Sequence, residues 1–193
     1  MKTFRYIFSG LMILGFMVQG MVAQNTSNNH HSLSAKERKI NRKTKQLKSR
    51  MRYKKLLESK NYVFQADHLK MNNGQNIALS TDVNFFAVRG DTAVLQMVFH
   101  DLSRISSNGL GGITAKGRAE RYQLRTEKTK KAMQVSTYIH PRGASSSAYV
   151  VLSVGNHGYA QLDVTVNGAQ FSLIGQVTHP AQAKIFEGHS VFP

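Results

Sequence analysis

Segments in which apolar and polar residues alternate run through the chain from Tyr62 to Thr178. The clearest is AQLDVTVN at residues 160–167, and Gly168 follows it to complete an Asn-Gly pair, a strong hairpin signal. Successive side chains of a strand point to opposite faces, so this pattern predicts strands with one face on a core and one in water.

The same alternation predicts nine strands, near residues 62–66, 76–80, 83–88, 92–99, 120–128, 131–140, 147–154, 159–166 and 170–178. A segment rich in Ser, Asn and Gly, residues 100–118, is predicted to be a loop between the fourth and fifth strands. The turns between strands are short, so most neighbours in sequence should pair antiparallel. The sequence therefore predicts a mainly β domain over residues 61–180, an antiparallel meander of eight or nine strands forming a sandwich or a partial barrel.

A strongly basic segment, residues 34–60, precedes this domain and follows a helical pattern. Ser34 and Glu37 have the spacing of a capping box, and no Pro or Gly interrupts the following residues, which predicts a helical arm over residues 35–60. Its apolar positions form a narrow stripe of Leu33, Ile40, Leu47 and Met51. Leu56 and Leu57 lie off the stripe and are predicted to mark the place where the helix docks on the next domain.

Most of the charge of the protein lies in this arm. The formal charge of the whole chain is +16, and the arm contributes +10 through twelve Lys or Arg residues and two Glu. Three roles are open: binding to nucleic acid, contact with an anionic envelope surface such as lipid or polysaccharide, and a solvated spacer. Nucleic acid is the least favoured, and the spacer is the simplest. For surface contact the candidate residues are Lys39, Arg42, Lys43, Lys45, Lys48, Arg50, Arg52, Lys54 and Lys55.

The N-terminus reads as an export signal. Lys2 and Arg5 precede an apolar run, and Ala23 offers a cleavage point, so residues 1–23 are predicted to be a signal peptide and residues 24–34 a disordered leader. An uncleaved membrane anchor is the alternative. The chain contains no Cys, which excludes disulfides and thiolate metal sites. We expect a periplasmic, outer-envelope or secreted protein with no transmembrane segment after signal cleavage.

No motif in the chain predicts a catalytic, metal or cofactor site. GITAKGR at residues 112–118 resembles a phosphate-binding loop, but it lacks the Lys-Ser/Thr pair and a following helix. The eight His residues lack metal-ligand spacing, although His100 and Asp101 are adjacent in the predicted loop. Arg89-Gly90-Asp91 is better explained as a tight turn than as an adhesion motif.

Several of these elements together resemble a secreted bacterial family, domain of unknown function 4251. The matching residues are YVFQAD at 62–67, Gly90-Asp91-Thr92, the glycines near residues 111–117, and the paired strands of residues 149–177. The resemblance runs from Tyr62 to about Pro180 and implies export from a Gram-negative cell, but it brings no catalytic residue. Residues 98–103 depart from the loop usual in the family, and the tail at residues 181–193 extends past it.

The predicted function is a non-catalytic envelope protein. In this prediction the β domain binds a ligand or a protein partner, and the cationic helix contacts an anionic surface. An enzyme of hydrolase type, with its site near the 100–118 loop, is the alternative. A pure interaction domain that offers an edge strand to a partner is a third possibility.

Overall fold

The computed structural model describes residues 34–98, 112–126, 132–141 and 147–188. The predicted signal peptide, nearly all of the predicted leader, the His100–Asp101 pair and residues 189–193 lie outside this part. One helix, α1, spans Ala35–Glu58. The strands are β1 Asn61–Lys70, β2 Asn76–Ala78, β3 Phe85–Arg89, β4 Thr92–Val98, β5 Gly112–Thr126, β6 Met133–Pro141, β7 Ala148–Val154, β8 Tyr159–Val166 and β9 Ala169–Thr178.

The strands form one antiparallel sheet that closes on itself. Each strand from β3 to β8 pairs with the next along the chain, β1 pairs with β3, and β1 also pairs with β9. These pairings make an eight-stranded barrel, and β2 adds a short extra strand beside the C-terminal end of β1. The predicted mainly β meander with a preceding helix is confirmed. Its rolled form is a barrel whose first and last strands are hydrogen-bonded.

Side chains fill the interior of the barrel. Inward positions alternate along β6, β7 and β8, as the sequence pattern predicts. The largest of the fully buried side chains include Tyr62, Phe64, Phe86, Met97 and Leu152. An eight-stranded barrel has an interior just wide enough for such packing, so these large residues account for the space that closure creates.

The structure corrects part of the predicted 100–118 loop. Residues 112–118 are the first half of β5 and pair with β4 from Gly112 opposite Val98 to Arg118 opposite Thr92. They cannot act as a phosphate-binding loop, because such a loop needs free backbone amides ahead of a helix.

In the described part of the chain, no helix is long and apolar enough to cross a bilayer.

Candidate functional site

The capping box predicted for α1 is present. The Ser34 amide donates to the Glu37 carboxylate at 2.8 Å, and the Glu37 amide donates to the Ser34 hydroxyl at 3.3 Å. At the other end, Lys60 takes a left-handed backbone conformation with φ of 50° and its amide donates to the Leu57 carbonyl at 3.2 Å. The helix thus begins and ends on local signals, while its middle depends on what it contacts.

Only the C-terminal half of α1 has contacts to the barrel among the described residues. Leu57 is fully buried in the barrel core, and its carbonyl accepts a hydrogen bond of 2.7 Å from the Tyr122 hydroxyl. One and two turns earlier, the Tyr53 hydroxyl donates to the His157 carbonyl at 3.2 Å and the Ser49 hydroxyl donates to the Asn156 carbonyl. Residues three and four apart share a helix face, so these contacts define one docking face.

The turn between β7 and β8 is shaped to receive this face. Gly158 has φ of +85°, and a Cβ atom at this position would overlap the Tyr53 hydroxyl. Leu57 lies where the sequence predicted docking. Ser49 and Tyr53 were not predicted, because a Ser and a Tyr among basic residues give no apolar periodicity.

Lys60 completes the junction between helix and barrel. Its ammonium pairs with the Asp91 carboxylate at 3.2 Å and lies 5.4 Å from the centre of the Tyr122 ring. The Lys60 carbonyl accepts from the Gly90 amide at 2.8 Å, and Gly90 has φ of +62°. The residues Arg89-Gly90-Asp91 therefore form the tight turn predicted between β3 and β4.

Two tyrosine hydroxyls, those of Tyr62 and Tyr122, lie in the same part of the core as Leu57. Burial raises the pKa of the Tyr122 hydroxyl to about 12, although the hydroxyl of Tyr62 opposes that shift slightly. Burial also raises the pKa of Tyr62 well above its ordinary value, and the Tyr122 hydroxyl adds to the effect. The Tyr62 hydroxyl is buried without a hydrogen-bond partner of good geometry in the described part of the chain. Both groups stay neutral at physiological pH.

The apolar stripe of α1 lies outside the docking face and is largely exposed. Ile40, Leu47 and Met51 are 52%, 60% and 63% exposed. At 100° per residue they lie about 120° to 160° around the helix axis from Tyr53. Leu33, the fourth predicted member of the stripe, lies outside the described residues. The stripe is thus exposed on a different side of the helix from the docking face.

Basic residues flank this exposed stripe on both sides. Lys36, Lys43 and Lys54 follow one edge of it, and Lys48 and Lys55 follow the other.

Of the nine predicted surface-contact residues, Arg50 is partly buried and the others are exposed. Within the described chain, the Lys54–Glu58 pair at 3.5 Å is the one ion pair internal to α1. Most of the positive charge on the helix is therefore free to meet an external anion.

An open groove of about 780 Å³ lies between α1 and the chain that follows β9. Its lining combines basic and apolar groups, namely Met51, Arg52, Lys55, Leu56, His179, Ala181 and Gln182. No group of three or more His, Asp or Glu side chains able to hold a metal occurs among the described residues. The enzyme alternative gains no support, because residues 112–118 are strand and His100 and Asp101 lie outside the described part.

Comparison with known proteins agrees with the fold. The model of the family described as domain of unknown function (DUF4251) matches residues 43–177. The chain is similar to a 1.95 Å crystal structure of a DUF4251 family protein from Bacteroides eggerthii DSM 20697, with a TM-score of 0.61 and 24% sequence identity. That alignment covers 72% of this chain and 92% of the other. No curated protein matches the chain.

Proposed function

Because this chain belongs to the DUF4251 family, whose domain has no known function, we propose a function from the geometry of its own helix. The protein is an exported, non-catalytic envelope protein that rests on an anionic lipid surface through α1. The barrel is the domain that this helix holds at the surface, where it binds a ligand or a partner.

One observation carries the proposal: the exposed Ile40–Leu47–Met51 stripe lies between two rows of lysines, away from the docking face. A helix that lies on a bilayer has this pattern, with apolar residues entering the acyl boundary and cations at the headgroups. The docking face leaves the stripe free, because Tyr53 and Leu57 hold the barrel on another side of the helix.

Charge and apolar contact make different contributions. Each Lys or Arg near an anionic membrane contributes about 1 kcal/mol, and salt screens that attraction. Full burial of one apolar side chain contributes about 1.5–3 kcal/mol, and it does not depend on salt in the same way. An anionic polysaccharide or a nucleic acid would use the charge and leave the stripe in water. The stripe therefore favours lipid.

Co-sedimentation with vesicles tests this proposal. We expect the exported form of the protein to bind vesicles of phosphatidylglycerol and phosphatidylcholine and to ignore phosphatidylcholine alone. The variant with Ile40→Ser, Leu47→Ser and Met51→Ser should lose at least tenfold in affinity for the anionic vesicles. A matched charge variant, with Lys43→Gln, Lys48→Gln and Lys55→Gln, should lose affinity mainly at low salt.

Dextran sulfate beads, a polyanion without acyl chains, measure binding through charge alone. If the stripe variant binds vesicles as tightly as the natural chain, the lipid contact is wrong and the helix recognises charge alone. If the natural chain ignores anionic vesicles at low salt, the surface role is wrong altogether and α1 is a spacer.

Export is a separate part of the proposal, supported by the signal-like residues 1–23. N-terminal sequencing of the protein from its native cell should find Gln24 as the first residue, in the periplasmic, outer-membrane or secreted fraction. A cytosolic protein that still begins at Met1 would overturn it.

A further inference from the structure

The chain after β9 turns back across the outside of the barrel. One turn of 3-10 helix, Pro180–Gln182, precedes a segment of residues 183–188, which we call the C-terminal strap. The strap crosses the outer face of β1, β3 and β4, and its Phe186 amide donates to the carbonyl of Asp82, in the turn before β3, at 2.8 Å. No role was predicted for this segment from the sequence.

Two glutamine side chains on the barrel bind the main chain of the strap. The Gln65 amide group donates to the Lys184 carbonyl at 3.1 Å. The Gln96 amide group donates to the Phe186 carbonyl at 2.8 Å and its oxygen accepts from the Gly188 amide at 2.7 Å. These contacts fall on every second residue of the strap and involve only its backbone.

Gln96 is fully buried, and its hydrogen bonds are fully used. Besides the two bonds to the strap, its amide group donates to the Val83 carbonyl at 3.0 Å and its oxygen accepts from the Thr114 hydroxyl at 3.3 Å. A primary amide has two donor hydrogens and two acceptor lone pairs, so these four bonds satisfy it. Half of them depend on the strap.

The strap also covers a small apolar cluster that is separate from the barrel interior. Val63, Phe85, Ala87 and Val94 are buried there, and Ala183 and Ile185 of the strap pack on them. Phe186 points away and is 60% exposed. Glu187 pairs with Lys116 at 2.7 Å. No residue of the strap is fully buried, whereas the residues beneath it are.

This face has the features of a peptide groove. Side chains hydrogen-bond to backbone groups at alternate positions, an apolar surface lies beneath, and one cation, Lys116, lies at the side. The residues that form it lie within the part matched by the family model, residues 43–177, and the strap lies beyond that part. We propose that the outer face of β1, β3 and β4 is a peptide-recognition groove. The chain fills it with its own strap, and the strap of a second copy can replace that strap.

The pattern of the strap defines what the groove accepts: a small residue, then a branched apolar residue two positions later, then an acidic residue two positions after that. A second copy of this chain is the proposed partner, because its strap has the same pattern. The strap leaves the barrel through the short Pro180–Gln182 turn, which has no buried residue, so exchange between copies costs little packing.

Peptide binding to a shortened chain tests the groove. The probe is a fluorescein-labelled peptide of residues 181–193, and the protein ends at Gln182. We expect saturable binding to the shortened chain and at least tenfold weaker binding to the full chain, whose own strap competes. Gln96→Leu in the shortened chain should abolish binding. Gln170→Leu, at an exposed glutamine near the start of β9 and beyond its pairing with β1, is the matched control and should bind normally.

A peptide carrying Ile185→Asp should fail to bind. If the shortened chain does not fold, the same titration uses the full chain with Ile185→Asp and Glu187→Lys, which detach the strap without removing it. Failure of both proteins to fold would show that the strap is an integral part of the core, and the groove proposal would be wrong. A folded, strap-free chain that binds no peptide at millimolar concentration overturns it equally.

Native mass spectrometry tests exchange between copies. A mixture of the shortened chain and the full chain should contain a heterodimer that Gln96→Leu in the shortened chain removes. If the peptide binds but no heterodimer forms, the second copy is the wrong occupant. Neither result depends on lipid binding by α1, so this inference and the proposed function fail separately.

Discussion

Tyr62 and Tyr122 place two neutral hydroxyls at the junction of the helix and the barrel. The Tyr122 hydroxyl donates to the Leu57 carbonyl, one of the last carbonyls of α1, which have no partner within the helix. Because burial favours the protonated form, the fold should lose stability when these groups must ionise. The two tyrosines therefore link the docking of the helix to alkaline pH.

We predict a decline in stability between about pH 10 and pH 12 that depends on Tyr122. Unfolded tyrosine ionises near its ordinary value of 10.0, whereas the pKa of folded Tyr122 is about 12. The unfolded chain holds fewer protons across this interval, so the free energy of unfolding falls as the pH rises and levels off above the folded pKa. Urea unfolding at pH 9, 10 and 11 should show a shallower decline for Tyr122→Phe.

The control is Tyr159→Phe, which removes an exposed hydroxyl from the start of β8. Tyr122→Phe should itself cost about 1 kcal/mol at neutral pH, because it removes one hydrogen bond. Equal alkaline slopes in Tyr122→Phe and the natural chain would rule out the linkage.

Gly175 allows β1 and β9 to approach closely where β1 bulges. The register shifts between Ala66 and His68, and a Cβ atom on Gly175 would overlap the Gln65 carbonyl oxygen. The obstacle is backbone within a closed sheet, so it has little freedom to move. Gly175→Ala should destabilise the protein by about 1–3 kcal/mol or more.

Gly155→Ala is the matched control, since its Cβ atom would meet only the Tyr159 carbonyl oxygen, at an ordinary distance of 3.4 Å. It should stay within about 0.5 kcal/mol of the natural chain in urea unfolding. A Gly175→Ala protein as stable as Gly155→Ala would show that the β1–β9 contact is looser than described.

At the scale of the element, α1 carries two leucines in opposite situations. Leu57 is fully buried against the barrel, whereas Leu47 is 60% exposed. Leu57→Ala should destabilise the protein by about 2–5 kcal/mol, because it empties a buried site. Leu47→Ala should change the free energy of unfolding by less than about 0.5 kcal/mol.

Thermal or urea unfolding followed by circular dichroism measures both variants. Similar effects from the two substitutions would mean that the helix does not dock as described. In vesicle binding the order should reverse, with Leu47→Ala weakening attachment and Leu57→Ala affecting it only through stability.

Elements with local signals could be predicted from the sequence. Ser34 and Glu37 fix the start of α1, and the Asn167-Gly168 turn joins β8 to β9 with Asn167 at φ of 49°. The closure of β1 on β9 could not be predicted, because Val63 and Thr178 pair across more than a hundred residues without a local mark. The start of β5 at Gly112 was missed because its glycines suggested a loop.

Of the candidate site, the sequence predicted the stripe and the charges but not the side on which they lie. Periodicity showed that Ile40, Leu47 and Met51 share a face, yet such a face is usually buried. Its exposure follows from Tyr53, a contact with a distant turn that periodicity does not encode. The burial of Gln96 likewise could not be predicted, because a polar residue within an alternating strand is expected to face water.

In the molecule as a whole, α1 is a projecting arm. Residues 35–48 precede the first contact with the barrel, at Ser49, and an α-helix of that length extends about 20 Å. Isolated helices shorter than about 12–15 residues are marginal in water, and this half has few compensating ion pairs. The arm should therefore open locally far more often than the barrel does.

Hydrogen exchange measured by mass spectrometry tests this difference. Amides of residues 38–48 should exchange at least a hundredfold faster than those of residues 53–58, because only the latter half is held by Tyr53 and Leu57. Tyr53→Ala should spread fast exchange through the docked half while β8 stays protected. Uniform protection along α1 in free solution would contradict a projecting arm.

Anionic vesicles should then slow exchange in residues 38–48 of the natural chain and leave the Ile40→Ser, Leu47→Ser and Met51→Ser variant unchanged, because only the natural stripe enters the acyl boundary.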